Sequence, residues 1–196
     1  MEGKIKTAIE IAMEKAALLE DLSLEEKEEI ENKKKLEPIM AGFYKTAFKP
    51  EDLWNKLKNG NPSLLKMAQI SLVDSLKFNL DGSEIDRRIK GIIALESLKK
   101  EQKTSVIQQA LAMLVSLQKK AENERTQVFN QFKNAIEKNP QARNRVIEQG
   151  GAKIVLKLSV EEAVLQNPQW KQFMTEFESN NEQEFSRITE QVKKYL

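Results

Sequence analysis

Turn-forming residues are scarce: the 196 residues include only 7 Gly and 5 Pro. Strand-rich domains reverse direction often and draw on Gly, Pro, β-branched and aromatic residues. This chain is rich instead in Glu, Lys, Leu, Gln and Ala, which lose least on entering a helix. The fold class that follows is all-α: a multi-helix bundle with one long central helix and an N-terminal helical arm. The length accommodates a sizeable core plus an appendage. The expected division is an N-terminal helical arm with an aromatic-rich segment over 1–60, then a helical bundle core over 61–196.

The first helix is expected from about Lys4 to Glu20. Ile5, Ile9, Ala12, Ala16 and Leu19 recur at 4-3-4-3 spacing, the narrow seam of a helix that packs closely on one partner. Ser23 followed by Glu26 is a capping box that starts a second helix near Leu24. Glu29 and Lys33, and Glu31 and Lys35, form favourable i,i+4 pairs. Ile30 is the one large apolar residue between Leu24 and Leu36, so a solvated arm is expected there. Pro38 should kink or restart the helix. Ile39, Met40, Phe43, Tyr44, Ala47 and Phe48 then form a broad apolar face.

Further along, Pro50 opens a short helix that presents Leu53, Trp54 and Leu57. Asn61-Pro62 caps a helix expected over Ser63–Leu80, Asp81-Gly82 forms a turn, and Ser83 with Asp86 caps the next helix. Beyond the polar stretch Lys99–Thr104, the apolar residues from Leu114 to Ile136 stay in phase. They predict a continuous helix over about Ser105–Lys138, roughly 50 Å long. Asn139-Pro140 and Asn167-Pro168 read as N-cap plus first-turn proline. Residues 152–158 read as either a short helix or a strand, with helix the expectation. Two amphipathic helices should close the chain, one carrying Trp170, Phe173, Met174 and Phe177, the other Phe185, Ile188, Val192 and Tyr195.

The residues Asn144-Arg145-Val146-Ile147-Glu148-Gln149-Gly150-Gly151, with Ile154, Val155, Leu156 and Leu158, resemble the first-helix and turn region of an armadillo repeat. The resemblance covers about 16 residues and implies helix–Gly–helix chemistry. No second copy is visible, and no function is carried over from it. Residues 143–158 also read as a helix-turn-helix about Gly150, although Lys153 and Lys157 alone would face DNA.

Chemistry is restricted by two absences, since the chain contains neither Cys nor His. Disulfides, thiolate nucleophiles, imidazole bases and Cys/His zinc sites are therefore excluded. No Gly-rich phosphate loop occurs. The Ser-x-x-Lys matches at Ser63 and Ser97 lack their companion motifs. The stretch around Gly82 places Lys77 and Arg88 where a calcium loop needs carboxylates. No catalytic set, metal or cofactor is expected. No apolar run approaches the ~18 residues of a membrane span, and the expected location is cytoplasmic.

The net charge is +2, and residues 61–139 hold the basic excess, with 13 basic and 9 acidic residues. The expected function is non-enzymatic: a helical protein–protein interaction module, such as an adaptor, assembly factor or regulator. Its partner would be another protein or a second copy of the chain. The seam residues Ile5 and Ile9 and the aromatic set Phe43, Tyr44, Phe48 and Trp54 are the candidate partner-binding residues, because aromatics of this kind anchor interfaces. Two alternatives stay open. One is a nucleic-acid-associated factor using the 61–139 basic excess, and the other is a Mg²⁺-dependent enzyme working without His and Cys.

Overall fold

Why the described helices begin and end where they do is visible in their terminal hydrogen bonds. A computed structural model describes residue 7 and residues 22–149 and 152–196; the expected first helix, with Ile5 and Ile9, lies outside these. Seven α-helices appear among the described residues: α1 Leu24–Tyr44, α2 Pro50–Leu57, α3 Pro62–Asp74, α4 Gly82–Glu96, α5 Thr104–Lys138, α6 Val160–Gln166 and α7 Pro168–Tyr195. A turn of 3-10 helix at Pro140–Arg143 precedes two short strands, β1 Asn144–Gln149 and β2 Ala152–Lys157. Among the described residues the protein is thus all-α apart from one two-stranded sheet, and the 35-residue α5 is the expected long helix.

Ser23 caps α1 as its spacing predicts: its hydroxyl accepts from the Glu26 amide while Glu26 accepts from the Ser23 amide. The helix continues through Pro38 without restarting there, and Pro38 sits at an exposed position. Residues 24–37 are mostly exposed, as expected, but are anchored along one side. Asn32 and Leu36 are buried, and Asn32 donates to Asn61, whose amide nitrogen donates to Glu28 at 2.6 Å. Asn61 also accepts from the Leu64 amide at 2.7 Å. One asparagine therefore caps α3 and ties it to α1.

The described residues form two compact units. The first holds those up to Ser75 with Asp86–Thr104 and Leu196; the second holds Leu76–Ile85 with Ser105–Tyr195. In the first unit Phe43, Leu53, Leu72 and Ile92 are fully buried. Gly91 of α4 allows their close approach, since a Cβ there would lie 3.2 Å from Leu72 Cδ1 and 3.3 Å from Leu53 Cδ1.

In the second unit Gln118 donates to the carbonyls of Phe78 and Leu80 at 2.7 and 3.1 Å. This holds the segment after α3, where the helix expected to reach Leu80 stops at Asp74. Phe78 then packs edge-on against Phe177 and Phe185. A second apolar cluster forms around Trp170, with Phe129 and Phe132 of α5 at centroid distances of 5.3 and 5.8 Å.

Several boundaries differ from expectation for local reasons. Asp81, not Ser83, caps α4, accepting from the Ser83 amide at 2.8 Å. The two expected closing helices are one continuous helix, in which Asn181 donates back to the Phe177 carbonyl and adds no break. Residues 152–157 form a strand, not a helix.

The end of α1 is unusual. Thr46 donates its amide to the Phe43 carbonyl, and Ala47 donates to Gly42, the paired bonds of a Schellman motif. The left-handed position of that motif favours glycine, yet Thr46 occupies it with φ 60°. Thr46→Gly should therefore stabilise the protein by about 1 kcal/mol, read as a thermal-unfolding midpoint raised by roughly 2–4 °C.

Candidate protein-interaction surface

The residues that build the hairpin are apolar at positions that stay in water. β1 and β2 pair antiparallel with Val146 opposite Val155 and Arg145 opposite Leu156. Two strands are all this sheet has among the described residues, so each strand keeps one outer edge. Val146 is 58% exposed, Ile154 39%, Val155 61% and Leu156 44%. Leu165 on the adjoining α6 is 55% exposed. An isolated two-stranded hairpin is marginal in water, and this one is fastened at its base. Leu158 donates to the Arg143 carbonyl at 2.9 Å, Arg143 Nε returns a bond to the Leu158 carbonyl at 2.7 Å, and Arg145 donates to Gln166. Ser159 caps α6 with Glu162 in a capping box, and Lys133 of α5 pairs with Glu161 at 2.6 Å.

Sequence reasoning missed this surface. A Gly-Gly pair between two β-branched runs is a hairpin signal, and it stands at Gly150-Gly151 between Val146-Ile147 and Ile154-Val155. Both the armadillo-like and the helix-turn-helix readings of 143–158 give way to the antiparallel pairing.

The aromatic set chosen from the sequence is scattered by the fold. Phe43 is sealed in the core of the first unit and presents nothing to a partner. Tyr44 is half-buried, and its hydroxyl lies 2.8 Å from the Ser71 carbonyl and 2.9 Å from the Ser71 hydroxyl. It joins α1 to α3. Phe48 lies close over Gly42, and Lys56 sits 4.3 Å from its ring centre. Trp54 alone of the four is exposed, at 38%.

Several charged residues are engaged with the fold itself. Arg87 donates to the Phe43 carbonyl at 2.7 Å and stacks over the Phe43 ring. Arg88 donates to the Ser75 carbonyl and lies over Tyr44. Each guanidinium meets the carbonyl-rich end of a helix, where positive charge is stabilising. Lys90 pairs with Asp86. Of the glutamates in 25–31, Glu26 caps α1, Glu28 holds Asn61, and Glu29 and Glu31 pair with Lys33 and Lys35. Among the described residues no group of three acidic side chains is placed to hold a metal ion. No described helix is long and apolar enough to cross a membrane.

One carboxylate is buried among the described residues. Glu96, at the end of α4, accepts from Gln69 Nε2 at 2.9 Å, the Lys103 amide at 2.7 Å and Lys99 Nζ at 3.0 Å. Burial pushes its pKa up, but these three donors, with the charge of Lys99, hold it below the ordinary carboxylate value. Gln69 spends its other amide hydrogen on the Ile92 carbonyl at 3.1 Å, which leaves its Oε1 without a partner.

These elements define a helical protein with an aliphatic hairpin held on helical supports. Residues 50–196 match the model of a family described as a family of unknown function (DUF6657), and since that is more than half of the chain, the protein belongs to this family. The matched region contains the hairpin and Trp54 but not Phe43, Tyr44 or Phe48. No curated protein and no solved structure matches the chain.

The Glu96 cluster makes a direct prediction. A carboxyl with a lowered native pKa contributes stability above its unfolded value of 4.5, and that contribution is lost as pH falls through the lower native value. Glu96→Ala should cost about 2–4 kcal/mol at neutral pH, because the Gln69 and Lys99 donors lose a buried acceptor. Glu96→Gln should cost less, since the spare Gln69 Oε1 can turn to meet the new amide. Denaturant titrations at pH 7 and below 4.5 should show a smaller acid-induced loss in both variants than in the parent.

Proposed function

We propose that the protein is a non-enzymatic interaction protein whose contact surface is the β1–β2 hairpin with Leu165 of α6. The observation that carries this reading is exposure: Val146, Ile154, Val155, Leu156 and Leu165 are five of the nine large apolar residues exposed among the described residues. Scattered exposed hydrophobics need no explanation, whereas apolar residues gathered on both faces of one small hairpin, Val146 and Val155 on one and Ile154 and Leu156 on the other, cost solubility unless something covers them. The occupant is another protein, and the role is that of an adaptor, assembly factor or regulator, in keeping with a chain that has no thiol or imidazole chemistry. Trp54 is a second, smaller exposed point on the first unit.

The basic excess of residues 61–139 gives less support to nucleic-acid binding, because Arg87, Arg88, Lys90 and Lys99 are engaged with α1, α3, Asp86 and Glu96 respectively. Partner recovery from native cells with the tagged full chain tests the reading. Val155→Asp should cost about 1 kcal/mol through strand propensity and its lost pair with Val146, yet lower recovery of the partner by at least about tenfold, the effect of one buried charge in an apolar contact. Trp54→Ala should leave recovery intact. Equal recovery by the parent and by Val155→Asp would end this account.

A further inference from the structure

Taking the hairpin as the contact surface, we infer that the outer edge of β2 receives an extended strand from a protein partner, a strand with an aliphatic centre and acidic flanks. The backbone geometry identifies which groups would receive it. Leu158 donates to the Arg143 carbonyl, one step beyond the pairing of Asn144 with Lys157. In an antiparallel ladder, bonded and non-bonded pairs alternate. The pairs Asn144/Lys157, Val146/Val155 and Glu148/Lys153 are therefore the non-bonded ones, and their N–H and C=O groups point to the outer edges. On β2 the outward groups belong to Lys153, Val155 and Lys157, and no third strand meets them among the described residues. A strand added at such an edge gains main-chain hydrogen bonds, and alternate side chains set its specificity.

Charge and hydropathy select the occupant. β2 reads Ala152-Lys153-Ile154-Val155-Leu156-Lys157, an aliphatic triplet between two lysines. All three central residues are exposed, at 39%, 61% and 44%. Residues 143–158 carry four basic residues and one acidic residue, 4 − 1 = +3. A second copy would bring a hairpin of the same sign, and edge lysines are a device that keeps like edges apart. Nucleic acid would satisfy the lysines but leave the triplet in water. A strand of aliphatic residues flanked by Glu or Asp satisfies both, since opposite charges across a strand pair attract and like charges repel.

The test uses the full chain and two short capped peptides with the same aliphatic centre, one flanked by glutamates and the other by lysines. Amide hydrogen exchange should slow at Val155 and Lys157 with the glutamate peptide, which should bind about tenfold more tightly than the lysine peptide. Added salt should narrow that gap. Lys157→Glu, an exposed change, should reverse the order of the two peptides. Protection by neither peptide, or by both equally, overturns the proposal. So does protection that grows with protein concentration alone, which means a second copy, or stronger protection by a single-stranded oligonucleotide. If the peptides protect nothing while Val155→Asp still abolishes partner recovery, the hairpin is a contact surface that works without strand addition. If Val155→Asp leaves recovery unchanged, the contact-surface reading itself fails.

Discussion

Helix α4 supplies the polar fastenings on which the first unit depends. Without cysteine, this chain cannot staple itself, and helix ends leave carbonyls that must find donors. Arg87 and Arg88 are adjacent in sequence, yet they serve two different helices, one at the end of α1 and the other just past α3. Glu96, at the far end of α4, gathers Gln69 of α3 with Lys99 and the Lys103 amide from the connection that leads to α5. Gly91 keeps the same helix bare where Leu53, Leu72 and Phe43 close in. Apolar packing brings these helices together, and the charged and amide groups of α4 set their ends in register.

The hairpin follows a different physical logic. Its bonds at the base are polar and short, from Arg143 and Arg145, while the aliphatic residues farther along stay in water. Ordering such a segment without burying its side chains loses conformational entropy for little gain. The helical supports, α6 with its capping box and the Lys133–Glu161 pair, hold the strands in place. A surface kept in this way is already shaped before a partner arrives, which lowers the entropic cost of binding.

Much of the helical framework was legible because local chemistry fixes helix starts. Ser23 with Glu26, Asn61 with Pro62, and Asn167 with Pro168 all sit where their side chains cap the following helix. Phase carried the length of α5. What stayed hidden depended on long-range partners. Asn32 meets Asn61, 29 residues away, so a stretch that is otherwise solvated is anchored at one polar point. In sequence the two arginines only add to the basic excess of residues 61–139, because the carbonyls they meet belong to distant segments. Phe43 and Trp54 are equally aromatic in sequence, and only tertiary packing decides that one is core and the other exposed. The hairpin was missed because a short β-branched run after a helical stretch fits either period.

The distribution of indole rings has a practical consequence. The chain has two tryptophans; Trp54 falls in the first compact unit and is partly exposed, whereas Trp170 falls in the second and is enclosed by Phe129, Phe132 and Phe173. Each unit thus contains its own intrinsic fluorophore, in surroundings of different polarity. Emission from single-indole forms reports on each half separately, so whether the two halves melt together or in sequence can be observed with no attached dye.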